Sequence, residues 1–418
     1  MNRFIYTLLL YLSLPIAILK LIAKERKSSF WKAKLKNQLG FVAKTSGNVI
    51  WVHCVSVGEF NAARPLIDQL FDIYPEHRLA ITTTTITGAE AVKNHYKDRV
   101  IHYFFPFDLP FIVGSFVNKI NPVACILLET EIWPNLINNL NKKTIPVMLV
   151  NARLSERSLN KYQKFSSNLI QKTINQLTLI GSQNERSSER FLSLGMSPDK
   201  VVTVGNLKFD SNEKDNPNIT QSLQKIVGER RVVVFASTRE GEEKKIIKSY
   251  VNTKDKFDAL MIVIPRHPQR FDEVFNLLVD SGLDVKRRSH GLICDENTQV
   301  LLGDSMGELL SYYSVCDIAF IGGSLVDTGG QNMLEAAAAS KPILFGPSVF
   351  NFEQIAQSML ETDSAIQVDD ADNLMKTLSG LLLDDTKRVK LGENAKNLLE
   401  KHRGAVDRLL KLIIPNIS

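Results

Sequence analysis

The chain has 418 residues, of which 44% are hydrophobic and 23% charged, values that suit two ordinary folded domains and exclude a disordered or fibrous protein. Its formal net charge of +6 is unevenly spread: residues 1–45 carry nine Lys or Arg against one acid, Glu25, and the remainder is slightly acidic. With no basic excess left for the folded body, nucleic-acid binding is disfavoured. Cys54, Cys125, Cys294 and Cys316 lie far apart without a CxxC pair, so neither a zinc knuckle nor a disulfide scaffold is indicated, and a reducing compartment fits.

Residues 4–22 are almost wholly apolar, with Lys20 their single charge, a run long enough to cover the hydrocarbon core of a bilayer. Lys24, Arg26, Lys27, Lys32, Lys34 and Lys36 follow, an excess that holds the next domain on the cytoplasmic side. The run has no small-residue cleavage site, which favours a retained anchor over a removed leader. Pro15 and Lys20 leave open a helix lying in the membrane interface instead of spanning it, and basic helices draw domains onto anionic lipid heads.

From about residue 48, short apolar runs alternate with amphipathic ones. Strands are predicted at 48–54, 79–84, 100–104, 123–128, 145–150, 177–181 and 201–204, with helices at 60–73, 87–97, 131–141, 155–173 and 184–194. A polar stretch, Asp210 to Asn218, reads as a linker. The rhythm resumes with strands at 231–236, 259–264, 299–302, 317–321 and 342–345. Helices are predicted near 242–251, 269–281, 307–315, 331–339, 352–362, 371–383 and 386–412. Such alternation builds doubly wound parallel sheets. The expected organisation is an anchor and basic segment at 1–45, an α/β domain at 46–210, a linker at 211–230 and a second α/β domain at 231–418. The last helices are able to pack back on the first domain, and a cleft is expected between the two sheets.

Candidate chemistry sits where predicted strands end, because open α/β sheets bind ligands at the carboxyl edge. Glu59 follows the strand-turn stretch Ile50 to Gly58 at the start of a helix, where an acid either complements the dipole or does chemistry. Glu129 and Glu131 follow the strand ending at Leu128, and a carboxylate ending a buried strand needs a partner. Lys208 ends another strand near the linker. Asn151-Ala152-Arg153-Leu154-Ser155 follows a strand, with Ser155 read as a helix cap. In the second half Arg266, in Ile264-Pro265-Arg266-His267-Pro268, offers a donor fork to phosphate. Gly322-Gly323-Ser324 and Gly329-Gly330-Gln331-Asn332 present glycine amides ahead of a predicted helix. GxGxxG and GxxxxGK[ST] do not occur, and the seven histidines make no HxxxH or HxH spacing, so dinucleotide, P-loop and metal readings are poor.

In this order and spacing, several stretches resemble one family. They are Val55-Ser56-Val57-Gly58-Glu59, Glu129-Thr130-Glu131-Ile132-Trp133-Pro134-Asn135, Asn151 to Ser155, Leu207-Lys208-Phe209-Asp210, Pro265 to Pro268, Gly303-Asp304-Ser305-Met306-Gly307-Glu308-Leu309 and Gly322-Gly323-Ser324-Leu325. The chain is similar, from its anchor to about residue 352, to the membrane-anchored transferases of 3-deoxy-D-manno-octulosonic acid (Kdo). One departure is Gln331, where many members carry histidine; both side chains donate a hydrogen bond. The resemblance implies a GT-B fold, two Rossmann-like domains behind a membrane-anchor helix. It implies inverting transfer of Kdo from CMP-Kdo to the lipid A precursor at the cytoplasmic face of the bacterial inner membrane, with no metal and no cofactor. It assigns Glu59 as the base and Glu129 and Lys208 as transition-state stabilisers. The donor falls to Pro265, Arg266, Met306, Gly307, Glu308, Asn332, Met333, Leu334 and Glu335, and Glu335 alternatively binds ribose hydroxyls. Two rivals remain: another membrane-associated GT-B enzyme using a UDP-sugar, and a catalytically dead, membrane-tethered sugar-binding protein, which the retained acids and Lys208 disfavour.

Overall fold

A computed structural model describes residues 1–210, 215–253 and 257–417, which divide into two compact units, 1–211 with 402–418 and 212–401. The first unit begins with α1 (Arg3–Glu25) and α2 (Trp31–Gln38), which precede an alternation of strands and helices. Its strands are β1 (Val49–His53), β2 (Arg78–Thr83), β3 (Val100–Phe104), β4 (Pro122–Leu128), β5 (Val147–Ala152), β6 (Leu179–Ser182) and β7 (Val201–Thr203). Between them run α3 (Val57–Ile73), α4 (Ile86–Tyr96), α5 (Pro110–Ile120), α6 (Pro134–Lys142), α7 (Glu156–Ile174) and α8 (Glu185–Ser193). All strands are parallel, in the order β3-β2-β1-β4-β5-β6-β7. β1 is buried at every residue, as a central strand covered on both faces must be. α3 starts where the Ser56 side chain accepts from the Glu59 N–H, and it buries Phe60, Leu66, Ile67 and Leu70 on the sheet. Each such side chain contributes roughly 1.5–3 kcal/mol of burial.

The second unit comprises α9 (Pro217–Val227), β8 (Val232–Thr238), α10 (Glu242–Thr253), β9 (Leu260–Pro265), α11 (Phe271–Asp280), β10 (Val285–Arg287), β11 (Val300–Leu302), α12 (Leu309–Val315), β12 (Ile318–Ile321), α13 (Leu334–Ala338), β13 (Ile343–Phe345), α14 (Glu353–Glu361), β14 (Ala365–Gln367), α15 (Ala371–Leu382) and most of α16 (Asp385–His402). Its parallel sheet has the order β10-β11-β9-β8-β12-β13-β14. The short edge strands β10 and β14, and the helices α2 and α5, were not anticipated from sequence. Of the expected linker 211–230, residues 211–214 lie outside the described residues and 217–227 form α9. That helix has Asn216 as its cap, Pro217 at its first position and Leu223, Ile226 and Val227 buried. The helix expected at 386–412 is two helices, α16 and α17 (Ala405–Ile413), parted at Gly404, whose φ is +88°. α17 belongs to the first unit, where the Asp210 carboxylate accepts from the N–H groups of Gly404 and Val406, each at 2.6 Å.

Candidate active site

In each sheet the first strand has the next strand in sequence on one side and a later strand on the other. That arrangement places a topological switch point between β1 and β4, and another between β8 and β12. Glu59 and Glu129 stand just past the first of these.

Glu59 is the third residue of α3, and its Oε2 accepts from the Val55 N–H at 2.7 Å. This reach back across the helix start is what a capping acid does. A cap alone, however, favours the ionised carboxylate. The Glu59 carboxyl is instead pushed up to about 8, first by burial and then by the negative charge of Glu129. The Glu129 carboxyl is also raised by burial, against the pull of Lys208 and Arg153. Burial lowers the Lys208 ammonium while Glu129 and Glu59 hold it up. The three side chains named from sequence are thus one electrostatic cluster. Glu131, nearby, accepts from the Trp133 indole N–H at 2.6 Å and lies 3.5 Å from His53 Nε2. His53 is a core residue, stacked on Phe105 and bonded through Nδ1 to Thr82.

The backbone around this cluster is strained. Glu129 has φ of +59° and Asn151, at the end of neighbouring β5, +50°, in the left-handed region that costs a non-glycine residue free energy. Asn151 earns its conformation by position. Fully buried, it accepts the Leu207 N–H on Oδ1 at 3.0 Å, and its carbonyl accepts from Gln183. Asn206 Oδ1 then accepts the Lys208 N–H at 3.0 Å. Asn151, which the sequence reading placed in the stretch Asn151 to Ser155 without giving it a role, therefore fixes the turn that carries Lys208. Ser155 does cap α7.

At the second switch point the expected phosphate cradle differs from the sequence reading. The amides of Gly323, Ser324 and Leu325 are already occupied by Glu242, at 2.6, 3.0 and 2.9 Å, and Glu242 also accepts from the Arg239 N–H at 3.1 Å. Fully buried, this carboxylate ties the loop after β8 to the loop after β12. Gly322 has no room for a Cβ, which would sit 2.7 Å from the Ala236 carbonyl oxygen. Gly329 donates to Ser348 and Gly330 to Gly323. The helix expected at 331–339 is only the five-residue α13, so little dipole is available there.

What remains for an anion is cationic side chains. Arg239, unforeseen from sequence, follows β8 directly, and its Nε is buried without a hydrogen-bond partner. Its guanidinium contacts His267 Nε2. Burial and then the charge of Arg266 lower Arg239, while burial, Arg239 and Arg266 lower His267. Arg270 is neutralised by Glu243 and Glu273. Arg266 is exposed at the end of β9, after buried Pro265. Elsewhere among the expected donor residues, Met306 and Gly307 are exposed, and Glu308 is held by Arg288 at 3.0 Å and by Ser305. Asn332 donates to Glu335 at 2.8 Å. Met333 and Leu334 turn their side chains into the core, leaving only backbone atoms for a ligand. Among the described residues, no group of three or more His, Cys, Asp or Glu could hold a metal ion.

Two Rossmann-like units, each a parallel sheet flanked by helices, give the chain the GT-B fold, and its family matches make it a glycosyltransferase. Residues 234–398 match the family model of glycosyl transferases group 1, and residues 33–211 match that of 3-deoxy-D-manno-octulosonic-acid transferase (kdotransferase). The chain is 39% identical over 430 residues to the 3-deoxy-D-manno-octulosonic acid transferase of Haemophilus influenzae, covering 100% of this chain and 99% of that protein. It is 32% identical to the enzyme of the same description from Rickettsia felis, covering 90% of this chain and 81% of the relative. The chain belongs to the Kdo transferase family. Solved structures share its fold: a glycosyltransferase from Rickettsia africae (12% identical, TM-score 0.57, 90% of this chain and 100% of that one) and a UDP-GlcNAc 2-epimerase from Neisseria meningitidis (15%, 0.55, 87% and 100%).

Proposed function

We propose that this Kdo transferase moves Kdo from CMP-Kdo to the lipid A precursor with inversion, at the cytoplasmic face of the inner membrane. What supports the reading is the match of residues 33–211 to the Kdo transferase family model together with the cluster of Glu59, Glu129 and Lys208, in which burial and the charge of Glu129 raise the Glu59 carboxyl to about 8. A general base is most effective with its pKa near the working pH, where it contributes on the order of 10²–10⁴-fold. Glu59 takes the proton of the acceptor hydroxyl as the new bond forms. Glu129 and Lys208 oppose the charges that develop in the oxocarbenium-like transition state. The second unit holds the donor. Arg266 and Arg239 take the leaving phosphate, and Asn332 with Glu335 take the polar groups of the sugar or ribose. The basic N-terminal segment brings the enzyme to a phosphorylated lipid acceptor embedded at the same surface.

The test is product analysis. Incubation with CMP-Kdo and the tetraacylated lipid A precursor is expected to give an acceptor heavier by whole Kdo residues in the mass spectrum. CMP, and not UDP, is expected to compete with the donor. An unmodified acceptor, or competition by UDP in place of CMP, overturns the reading in favour of a UDP-sugar enzyme.

A further inference from the structure

The N-terminal helix is tied down at both ends. Near its start the Tyr6 hydroxyl donates to Asp108 at 2.9 Å, and Thr7 shares hydrogen bonds with the Asn135 side chain at 3.1 and 3.2 Å. Asp108 is itself fixed in the body of the first unit. Buried, it accepts the N–H groups of Asn135 and Leu136 at the start of α6, at 3.0 and 2.7 Å. At the far end Glu25 pairs with buried Lys34 of α2 at 2.8 Å. α2 is fastened in turn, because Asn37 accepts the Phe104 N–H at 3.1 Å and the Gln38 carbonyl accepts that of Phe107 at 2.9 Å.

These two attachments decide between spanning and lying flat. A 23-residue helix is about 35 Å long, and it crosses a hydrocarbon core of roughly 30 Å only with its termini on opposite sides. Termini held against one folded body lie on one side.

The two faces of α1 agree with this. Tyr6, Thr7, Leu10, Leu14, Leu21 and Glu25, recurring at helical spacing, are half-buried. The opposite face presents Phe4, Ile5, Leu8, Leu12, Ile16 and Leu19, each 44–76% exposed. Exposed Lys20, Lys24, Arg26 and Lys27 border or follow that face. An apolar stripe flanked by lysines and arginines fits the acyl-headgroup boundary of an anionic leaflet, where apolar side chains sink and cations meet lipid phosphate. We propose that α1 lies in the plane of an anionic membrane surface, latched to the first unit through Tyr6–Asp108 and Glu25–Lys34, and does not cross the bilayer. The choice of a bilayer as partner rests on the membrane-facing reading above.

Two measurements on the full chain test this, and neither uses donor or acceptor, so they stand or fall apart from the transfer reaction. All four native cysteines are buried. A membrane-impermeant maleimide therefore reports on Asn2→Cys, with Asp369→Cys marking the side of the catalytic body. Both are expected to be labelled in inverted inner-membrane vesicles and protected in intact spheroplasts; labelling of position 2 in spheroplasts while position 369 stays protected overturns the proposal. The second measurement is sedimentation with protein-free vesicles of phosphatidylethanolamine and phosphatidylglycerol. The double variant Leu8→Glu, Leu12→Glu is expected to bind them about tenfold more weakly than the wild type with unchanged circular dichroism. Equal binding by the variant overturns the proposal. So does failure of the wild type to bind, which assigns the stripe to a protein partner.

Discussion

Past the central strands of the first sheet stand Glu59 and Glu129, with Glu131 beside them; past those of the second stand Arg239, Arg266 and His267. Both sheets are parallel and wound outward from their first strand, but β1 has two strands on the β2 side and four on the β4 side, whereas β8 has three on each side. The winding sets where ligands bind, and the residues after the strands set which charge is wanted. In both places like charges are crowded. Glu59 is pushed up partly by Glu129, and Arg239 and His267 are pushed down partly by Arg266. A ligand of opposite charge relieves that repulsion, which is why perturbed groups gather at functional sites.

The sharpest way to break this comparison is Glu59→Gln. Transfer is expected to fall about 10²–10⁴-fold, the worth of a general base. Stability is expected to move the other way. A carboxyl with a raised pKa in the folded state contributes stability that is intact below its ordinary value of 4.5 and lost as pH climbs to about 8. The neutral amide escapes that loss and still accepts from Val55, so unfolding at pH 8 should require more denaturant, by on the order of 1–2 kcal/mol after solvent screening. A variant that transfers normally and is slightly destabilised reduces Glu59 to a helix cap.

The cationic side comes next. Arg239→Ala and Arg266→Ala are each expected to weaken CMP binding by about 10–100-fold, equivalent to about 1.5–3 kcal/mol for a charge-assisted hydrogen bond. Cytidine, which lacks the phosphate, should bind all three proteins alike in calorimetry. If Arg239→Ala leaves CMP affinity intact but weakens use of CMP-Kdo, its partner is the sugar carboxylate.

Glu129 and Arg266 stand out in the sequence because each directly follows a strand-like apolar run, whereas Glu59 and Lys208 come six and five residues past the ends of β1 and β7, beyond a short turn. Arg239 directly follows a run of the same kind, β8, and carries the same signal beside the more conspicuous glycines of the second half. Glu242 and Asn151 were not legible. Their partners lie about 80 and 56 residues away, and pairing at that separation leaves no local pattern. The three-residue strand β10 has no apolar run to see, since it is half-buried throughout. α9 was readable in its proline and its spaced Leu223, Ile226 and Val227, though the polar residues before it masked them.

A smaller effect separates holding from catalysing. Asn151→Ala removes the acceptor of the Leu207 N–H and loosens the turn bearing Lys208. The buried amide left unpaired costs about 1–3 kcal/mol. Turnover is expected to fall by about tenfold with little change in donor KM, because geometry at the reacting centre suffers and donor contacts do not. A rise in donor KM alone places Lys208 with the donor instead.

The finest test reads the coupling inside the acidic cluster. Because Glu59 must be ionised to accept a proton, the transfer rate is expected to climb with pH and level off above about 8. Burial is the larger cause of that position and Glu129 the second. Glu129→Gln therefore lowers the midpoint without returning it to the ordinary carboxylate range, whatever it does to the maximal rate. An unmoved midpoint shows that burial alone sets Glu59, and the acids then share a strand edge without sharing charge.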